Sequence, residues 1–201
     1  MLFVITGPSG CGKSTLVKKV MEKVEGVEFS VSFTTRRKRD SEQEGRDYYF
    51  VSEQEFKQMR ETDALAEWAL VHGHYYGTSR REIEKKGADK DLLLDIDVQG
   101  AQQIKSKFKK AVFIFVLPPS FQELKKRLEK RGEEAPGAVE ERLATARKEI
   151  RSYPQFGYII VNDQIGKAVR ELASIVTATR CVLDHRQKEI IPILRSFSED
   201  E

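Results

Sequence analysis

The residues best suited to chemistry lie near the amino terminus, in the segment Gly7 to Ser14. Its sequence, GPSGCGKS, matches the pattern G-x-x-x-x-G-K-[ST] at every position. Glycines let the backbone turn tightly and approach a ligand closely, so consecutive N–H groups can point at phosphate oxygens. In this pattern Lys13 reaches the outer phosphates of a nucleotide, and the Ser14 hydroxyl ligates Mg²⁺. The segment therefore predicts a site for a nucleoside triphosphate.

The elements that this motif requires lie on both sides of the loop. Leu2 to Ile5 is a continuous apolar run, too short to span a membrane, and is typical of a buried strand in a parallel sheet. A helix is expected to begin at about Lys13, and its exposed first-turn N–H groups favour the same anion. A chance glycine-rich turn is the alternative, but the order of strand, loop and helix favours the motif.

Two further groups of charged residues follow predicted strands. A basic cluster, Arg36 to Arg39, comes after the predicted strand Phe29 to Phe33, and Asp95 closes the apolar run that follows Asp91. Ligands of open α/β sheets bind beyond the carboxyl ends of the strands, so these groups are expected at one crevice with the phosphate loop. Asp95 resembles the second carboxylate that holds Mg²⁺ in phosphate-loop enzymes. A solvated loop and a helix cap are the respective alternatives.

Short strands cluster in the first half of the chain. Besides Phe29 to Phe33, the segments Arg46 to Val51, Ala64 to Val71 and Tyr75 to Thr78 have strand character, and no long helix separates them. Ser52 and Glu55 form a capping-box pattern for the one helix among them. We therefore expect a small β insertion, serving as a substrate lobe, in an otherwise α/β chain.

Arginines are concentrated in a later helical region. Arg127 and Arg131 are one turn apart on a predicted helix that Ser120 caps, and a second helical run contains Arg142. The sequence GEEAPG at 132–137 separates the two runs. A hinged lid has this organisation, and an exposed helical hairpin is the alternative. After a last predicted strand and helix, the tail from Ile190 is compatible with a strand, a helix or partial disorder.

Composition limits the classes of partner. The 201 residues fit one domain with inserted lids, and 35 Lys and Arg against 32 Asp and Glu give a net charge of +3. Both signs are spread along the chain, so we expect neither a nucleic acid nor a membrane partner. The two cysteines, Cys11 and Cys181, are too far apart to suggest a disulfide framework or a metal site. This cysteine usage favours a reducing, cytoplasmic location.

Together, these segments resemble the guanylate kinase family. The resemblance rests on GPSGCGKST at 7–15, SFTTRRKR at 32–39, GRDYYF at 45–50, EW at 67–68, YYGT at 75–78, DIDVQG at 95–100, the arginines at 127, 131 and 142, and ND at 162–163. Their order and spacing agree with the family from the first strand to the last helix.

The resemblance implies an α/β fold with three parts. A three-layer phosphate-loop core with a parallel sheet would comprise residues 1–32, 91–126 and 152–190. A small β-rich lobe for GMP would comprise residues 33–90, a helical lid residues 127–151, and a tail residues 191–201. The lid sequence RGEEAPG at 131–137 lacks the Thr-Asp pair that many relatives carry after the arginine and glycine. This departure affects the expected details of the lid.

The resemblance also implies an activity and a set of site residues. The reaction would be in-line transfer of the γ-phosphoryl group of ATP to GMP, and to dGMP, with Mg²⁺ held by Ser14 and Asp95. The implied catalytic residues are Lys13, Arg127, Arg131 and Arg142. The implied ATP-binding residues are Gly7, Pro8, Ser9, Gly10, Cys11, Gly12, Lys13, Ser14, Thr15, Arg131, Asn162 and Asp163. The implied GMP-binding residues are Ser32, Arg36, Arg39, Tyr48, Glu67, Tyr76, Thr78 and Asp97.

The residue types suit these implied roles. Guanidinium groups match the geometry of phosphate, and tyrosine hydroxyls can donate to its remaining oxygens. Carboxylates such as Glu67 and Asp97 accept hydrogen bonds from N1 and N2 of guanine but face a lone pair on adenine. Without the resemblance, Tyr48 and Tyr76 would be interpreted as core aromatics, Glu67 as a surface charge, and Asn162–Asp163 as a turn.

Two other functions stay open at this point. Some domains similar to guanylate kinase bind proteins and have lost catalysis, although those usually lack an intact phosphate loop. A related phosphoryl transferase could use another acceptor, such as a ribose phosphate, although Glu67 and Asp97 argue for guanine. The sequence is compatible with either a monomer or a homodimer.

Overall fold

The structure is a computed structural model that describes residues 1–130 and 137–198, with side chains for all of these except 85–89 and 138. The described residues form nine strands: β1 (Leu2–Thr6), β2 (Val27–Phe29), β3 (Phe33–Thr34), β4 (Tyr49–Phe50), β5 (Leu65–Val71), β6 (His74–Ser79), β7 (Asp91–Asp95), β8 (Val112–Leu117) and β9 (Tyr158–Val161). They also form eight α-helices: α1 (Lys13–Met21), α2 (Glu53–Glu61), α3 (Arg80–Asp89), α4 (Val98–Lys107), α5 (Phe121–Lys130), α6 (Ala138–Glu149), α7 (Ile165–Arg180) and α8 (Leu183–Ser198).

The core is a parallel sheet covered by helices on both faces. Its strand order is β2-β7-β1-β8-β9, and every neighbouring pair is parallel. Helices α1 and α7 pack on one face around Phe3 and Leu172, while α4 packs on the other face around Val4 and Ile104. A parallel strand buried on both faces needs a continuous apolar sequence, which β1 supplies. The predicted α/β fold with three layers is confirmed.

A second, four-stranded sheet contains the predicted β insertion. Its strand order is β4-β3-β6-β5, and β5 and β6 form an antiparallel hairpin. The strand predicted over Phe29 to Phe33 is wrong as one element, because it divides between the two sheets. The N–H of Ser30 bonds to Leu93 in the core, whereas the carbonyl of Ser32 accepts from the Tyr49 N–H in the second sheet. The peptide between the two strands therefore connects the two sheets.

Local signals predicted helix starts better than helix ends. The capping box at α2 is present, with the Glu55 N–H donating to Ser52 Oγ and the Ser52 N–H donating to Glu55 Oε2. The helical spacing of apolar residues in the sequence extends to Val24, but helix α1 ends at Met21, where the Lys23 N–H bonds to the Val20 carbonyl in a tighter turn. The tail is helical, since α8 runs across residue 191.

Within the described residues, no helix combines the length and the apolar character that crossing a membrane requires.

Candidate active site

The loop between β1 and α1 has the backbone geometry that the phosphate-loop motif predicts. Gly7, Gly10 and Gly12 all have positive φ, at 144°, 86° and 95°. A Cβ added at Gly7 would lie 2.2 Å from the carbonyl oxygen of Val116, so the loop touches the end of β8 and excludes a side chain there. Glycine at these positions therefore lets the loop curl closely over the carboxyl edge of the sheet.

Lys13 points its ammonium group into this loop. Its Nζ donates to the carbonyl oxygens of Gly7 at 2.6 Å and Pro8 at 3.4 Å. Burial lowers the pKa of Lys13, but coupling to Cys11 and to the carboxylates of Asp95 and other acids outweighs that effect and raises it. Lys13 therefore presents a permanent positive charge within the phosphate loop.

Ser14 and Asp95 meet at the edge of the sheet. The Ser14 Oγ donates to Asp95 Oδ2 at 2.8 Å, and parallel pairing sets Asp95 opposite Ile5 at the end of β1. Asp97, not Asp95, caps α4, since Asp97 Oδ1 accepts from the Gly100 N–H at 2.9 Å. A hydroxyl and a carboxylate are the oxygen ligands that Mg²⁺ accepts beside substrate phosphates. Across the described residues, no group of three or more His, Cys, Asp or Glu could hold a metal.

Helix α6, which lies in the predicted lid, contacts the phosphate loop. Arg142 is 8% exposed, and its Nη2 donates to Ser9 Oγ at 2.6 Å. Glu149, two helical turns later, is a residue that the sequence did not single out. Burial raises the pKa of the Glu149 carboxyl, which the nearby Lys13 ammonium offsets only in part. Glu149 follows Arg142 by seven residues, and this spacing places both side chains on one face of a helix. That spacing is the signal in the sequence that could have identified Glu149. Arg131 and the departure at 131–136 lie outside the described residues.

Arg127 and Asn162 join the phosphate loop to the end of β9. Arg127 donates to the carbonyl oxygens of Asn162 at 3.1 Å and Cys11 at 3.4 Å, and its Nε pairs with Glu123. The buried Asn162 amide also donates to the Cys11 carbonyl, at 2.8 Å. The exposed Asp163 follows directly. The side chains of Arg127 and Asn162 thus both bond to the backbone carbonyl of Cys11 in the phosphate loop.

The Arg127→Met variant is expected to raise the KM for ATP by about tenfold, because the phosphate loop loses the donor to its Cys11 carbonyl and, with it, the link to the Asn162 carbonyl. The KM for GMP should stay unchanged, since the hydrogen bonds of Arg127 with described residues go to the phosphate loop, to Asn162 after β9 and to Glu123 on its own helix. Steady-state kinetics with each substrate varied in turn would measure both values. Lys125→Met, on the same helix but in an exposed pair with Glu129, is the matched control. An unchanged KM for ATP would contradict the prediction.

A second cluster of charged groups lies in the β insertion, around Arg36. Its Nε donates to the Tyr76 hydroxyl at 3.3 Å, and its two terminal nitrogens bond to Glu42 at 2.7 and 3.1 Å. The same carboxylate accepts from the Arg39 N–H at 2.9 Å, and the Tyr48 ring lies 5.5 Å from the Arg36 guanidinium. The predicted residues for the acceptor phosphate are therefore close together.

Glu42 is the member of this cluster that sequence reasoning missed. Partial burial raises the pKa of Glu42, but its bonds with Arg36 and the Arg39 N–H outweigh that effect and hold the pKa below the ordinary value. In the sequence it is one of several acids in the polar stretch 40–44, so nothing distinguishes it from a surface charge. By bonding to both the Arg36 guanidinium and the Arg39 N–H, Glu42 keeps Arg36 and Arg39 close together.

Glu67 belongs to a buried polar cluster. It is 3% exposed, so the interpretation as a surface charge is wrong. Its Oε1 accepts from the Thr78 hydroxyl at 2.6 Å, and Ser32 Oγ lies 3.4 Å from the same hydroxyl. The pKa of Glu67 is raised to about 7, mainly by burial and also by Asp97, although Thr78 stabilises the carboxylate. Ser32, Glu67, Thr78 and Asp97, all predicted to bind GMP, are therefore close together.

Comparisons with known proteins agree with this geometry. A family model described as guanylate kinase matches residues 1–179. Guanylate kinase of Caldanaerobacter subterraneus subsp. tengcongensis is 42% identical over 199 residues, which cover 98% of this chain and 96% of the relative. Guanylate kinase of Thermotoga maritima is 45% identical over 190 residues, which cover 94% of this chain and 92% of the relative.

Solved structures give the same result. The crystal structure of guanylate kinase from Anaplasma phagocytophilum superposes with a TM-score of 0.78 at 30% identity, covering 95% of this chain and 92% of that one. Shikimate kinase from Bacteroides thetaiotaomicron reaches a TM-score of 0.53 at 15% identity, a likeness of fold alone. Since the family model matches most of the chain and the curated relatives align over nearly their whole length, the chain belongs to the guanylate kinase family.

Proposed function

We propose that this chain transfers the γ-phosphoryl group of ATP to GMP, giving ADP and GDP, and that it also accepts dGMP. The main observation behind the proposal concerns two carboxylates at and just after the end of β7. Asp95 lies at the predicted ATP site, and Asp97 lies at the predicted GMP site. Asp95 accepts a hydrogen bond from Ser14 of the phosphate loop at 2.8 Å. Two residues later, Asp97 lies beside Glu67 of the β insertion, since a Cβ added to Gly100 would lie 3.2 Å from Asp97 Oδ1 and 2.2 Å from Glu67 Oε2. This proximity supports a single cleft that holds both substrates.

The roles of the residues follow from the reaction. The nucleophile is an oxygen of an already ionised phosphate, so no strong general base is required. The chain has to hold two polyanions in line and neutralise the charge that passes between them. Lys13 and Arg142 would do this on the ATP side, while Arg36 and Arg39 would hold the phosphate of GMP, with the hydroxyls of Tyr48 and Tyr76.

Mg²⁺ fits the donor set at the sheet edge. Ser14 and Asp95 would hold it, and it would neutralise charge on the β- and γ-phosphates when bound. We also propose that the chain is divided as the resemblance implies, with the core at 1–32, 91–126 and 152–190, the GMP lobe at 33–90 and the lid at 127–151. The separate sheets of the core and of the β insertion support this division. The free thiols of Cys11 and Cys181 support a cytoplasmic location.

An acceptor panel tests this function. ADP release from ATP would be followed with GMP, dGMP, AMP and a ribose phosphate as acceptors, in the presence of Mg²⁺. We expect turnover with GMP and dGMP, and little with AMP, because Glu67 would face the N1 lone pair of adenine. A protein-binding module would give no turnover with any acceptor. Preference for the ribose phosphate would indicate a transferase for another substrate.

A further inference from the structure

Side chains of helix α4 form hydrogen bonds with the backbone of β5 on both sides of Glu67. The Gln103 side chain makes two hydrogen bonds with Trp68, accepting from its N–H at 3.2 Å and donating to its carbonyl at 2.6 Å. One turn later, Lys107 Nζ donates to the carbonyl of Ala66 at 2.7 Å. The residue between these two anchored positions is Glu67. Its backbone is therefore fixed from the core, although it belongs to the β insertion.

The sheet explains why β5 needs this support. Among the described strands, β5 lies at the edge of its sheet and pairs only with β6, so one side of its backbone has no strand partner there. Its pairing with β6 is also irregular between Leu65 and Glu67. Irregularities of this kind redirect side chains and leave backbone groups unpaired. Gln103 supplies the donor and the acceptor that a neighbouring strand would otherwise provide to Trp68.

A third contact from the same helix face limits where the carboxylate can lie. A Cβ added to Gly100 would lie 2.2 Å from Glu67 Oε2, so the absence of a side chain there leaves the space that the carboxylate occupies. Gly100, Gln103 and Lys107 have spacings of three and four residues, which place them on one face of α4. The three contacts therefore act on Glu67 and its two neighbours together.

We propose that Gln103, assisted by Lys107, is a positioning residue for guanine recognition that acts by holding Glu67 at the base site. The proposal rests on the proposed function. In this proposal a helix of the core contributes to the specificity for guanine, together with side chains of the β insertion. A carboxylate discriminates between bases only if both oxygens keep their direction, so a loosened backbone at Glu67 reduces selectivity before it reduces the rate of transfer.

The test compares Gln103→Met with Gln102→Met. Methionine has a similar length and removes both hydrogen bonds to Trp68. Gln102 is the same residue type on the same helix, but it is exposed and bonds to Gln155 instead. We expect Gln103→Met to raise the KM for GMP by about tenfold, with the KM for ATP and kcat within about twofold of the wild type. Gln102→Met should match the wild type in all three.

A double-mutant cycle separates positioning from general loss of structure. In a Glu67→Gln background, Gln103→Met should raise the KM for GMP by less than about threefold, because the group that Gln103 positions has already been altered. A loss that acts through overall stability would instead multiply with that of Glu67→Gln. Lys107→Met provides a second variant, and we expect it to raise the KM for GMP in the same direction.

The possible failures are distinguishable. If the wild type gives no ADP release with GMP, the proposed function fails. If the wild type turns over but Gln103→Met and Lys107→Met both match Gln102→Met, only the positioning role is overturned. Equal increases in the KM for GMP and for ATP, or independent effects in the cycle, would also overturn it. Thermal unfolding would verify that each compared variant is folded.

Discussion

Replacing Lys13 by alanine is expected to lower kcat by about 10³-fold, which is the loss typical of removing one preorganised donor to a transition-state anion. The ammonium group lies within the phosphate loop, 2.6 Å from the Gly7 carbonyl oxygen, where the outer phosphates of ATP would bind. Its raised pKa keeps it charged at any working pH. No described neighbour on α1 can replace it, because Lys18 and Lys19 point to the exposed side of the helix.

The fold should tolerate this change. Lys13 bonds only to two carbonyl oxygens of its own loop, and the core packing of α1 depends on Leu16, Val17 and Val20. The measurement is ADP release with saturating GMP, together with thermal unfolding of the same preparation. Lys19→Ala removes a lysine from the exposed face of α1 and should keep wild-type activity. Near-normal activity of a folded Lys13→Ala variant would remove Lys13 from the catalytic residues.

Features that depend on neighbouring residues along the chain were predictable. The phosphate loop is one, because the glycines, Lys13 and the start of α1 are consecutive and their geometry is local. The β insertion is another, since the pattern of short strands without a long helix between them lies within one segment. The capping box at Ser52 and Glu55 is a third. In each case the spacing in the sequence sets the contact in space.

Most features that depend on distant pairings were not predictable from residue patterns, although the meeting of Asp95 with the phosphate loop was. Glu67 is an acid beside an apolar stretch in the sequence, and only the tertiary structure makes it a buried partner of Thr78. Gln103 gives no signal either, because glutamine is an ordinary residue on a helix and its partner, Trp68, is 35 positions away. The resemblance to a family supplied roles that residue patterns alone left open.

Replacing Glu67 by glutamine is expected to reduce the preference for GMP over AMP by about 10²- to 10³-fold, because a site built to pair with donors rejects ligands that lack them. Glutamine can keep the bond from Thr78 with its carbonyl oxygen and then presents its NH₂ group to the base. That group opposes the donors at N1 and N2 of guanine but suits the N1 acceptor of adenine. The measurement is kcat/KM for each acceptor. Glu61→Gln, an exposed acid on α2, is the matched control, and an unchanged ratio would exclude Glu67 from the base site.

The same residue predicts how recognition of GMP depends on pH. In the free protein the pKa of Glu67 is about 7, since burial raises it and Asp97 adds to the increase, while Thr78 and Lys107 lower it. An ionised carboxylate can accept from two guanine donors, and its protonated form loses one acceptor, so kcat/KM for GMP should fall as the pH drops below about 7. The phosphate of GMP also titrates, with a second pKa of about 6, but that step is common to wild type and variant. The ratio of wild type to Glu67→Gln should therefore decrease between pH 8 and pH 6. A ratio that is constant over this range would show that Glu67 does not bind GMP as a carboxylate with this pKa.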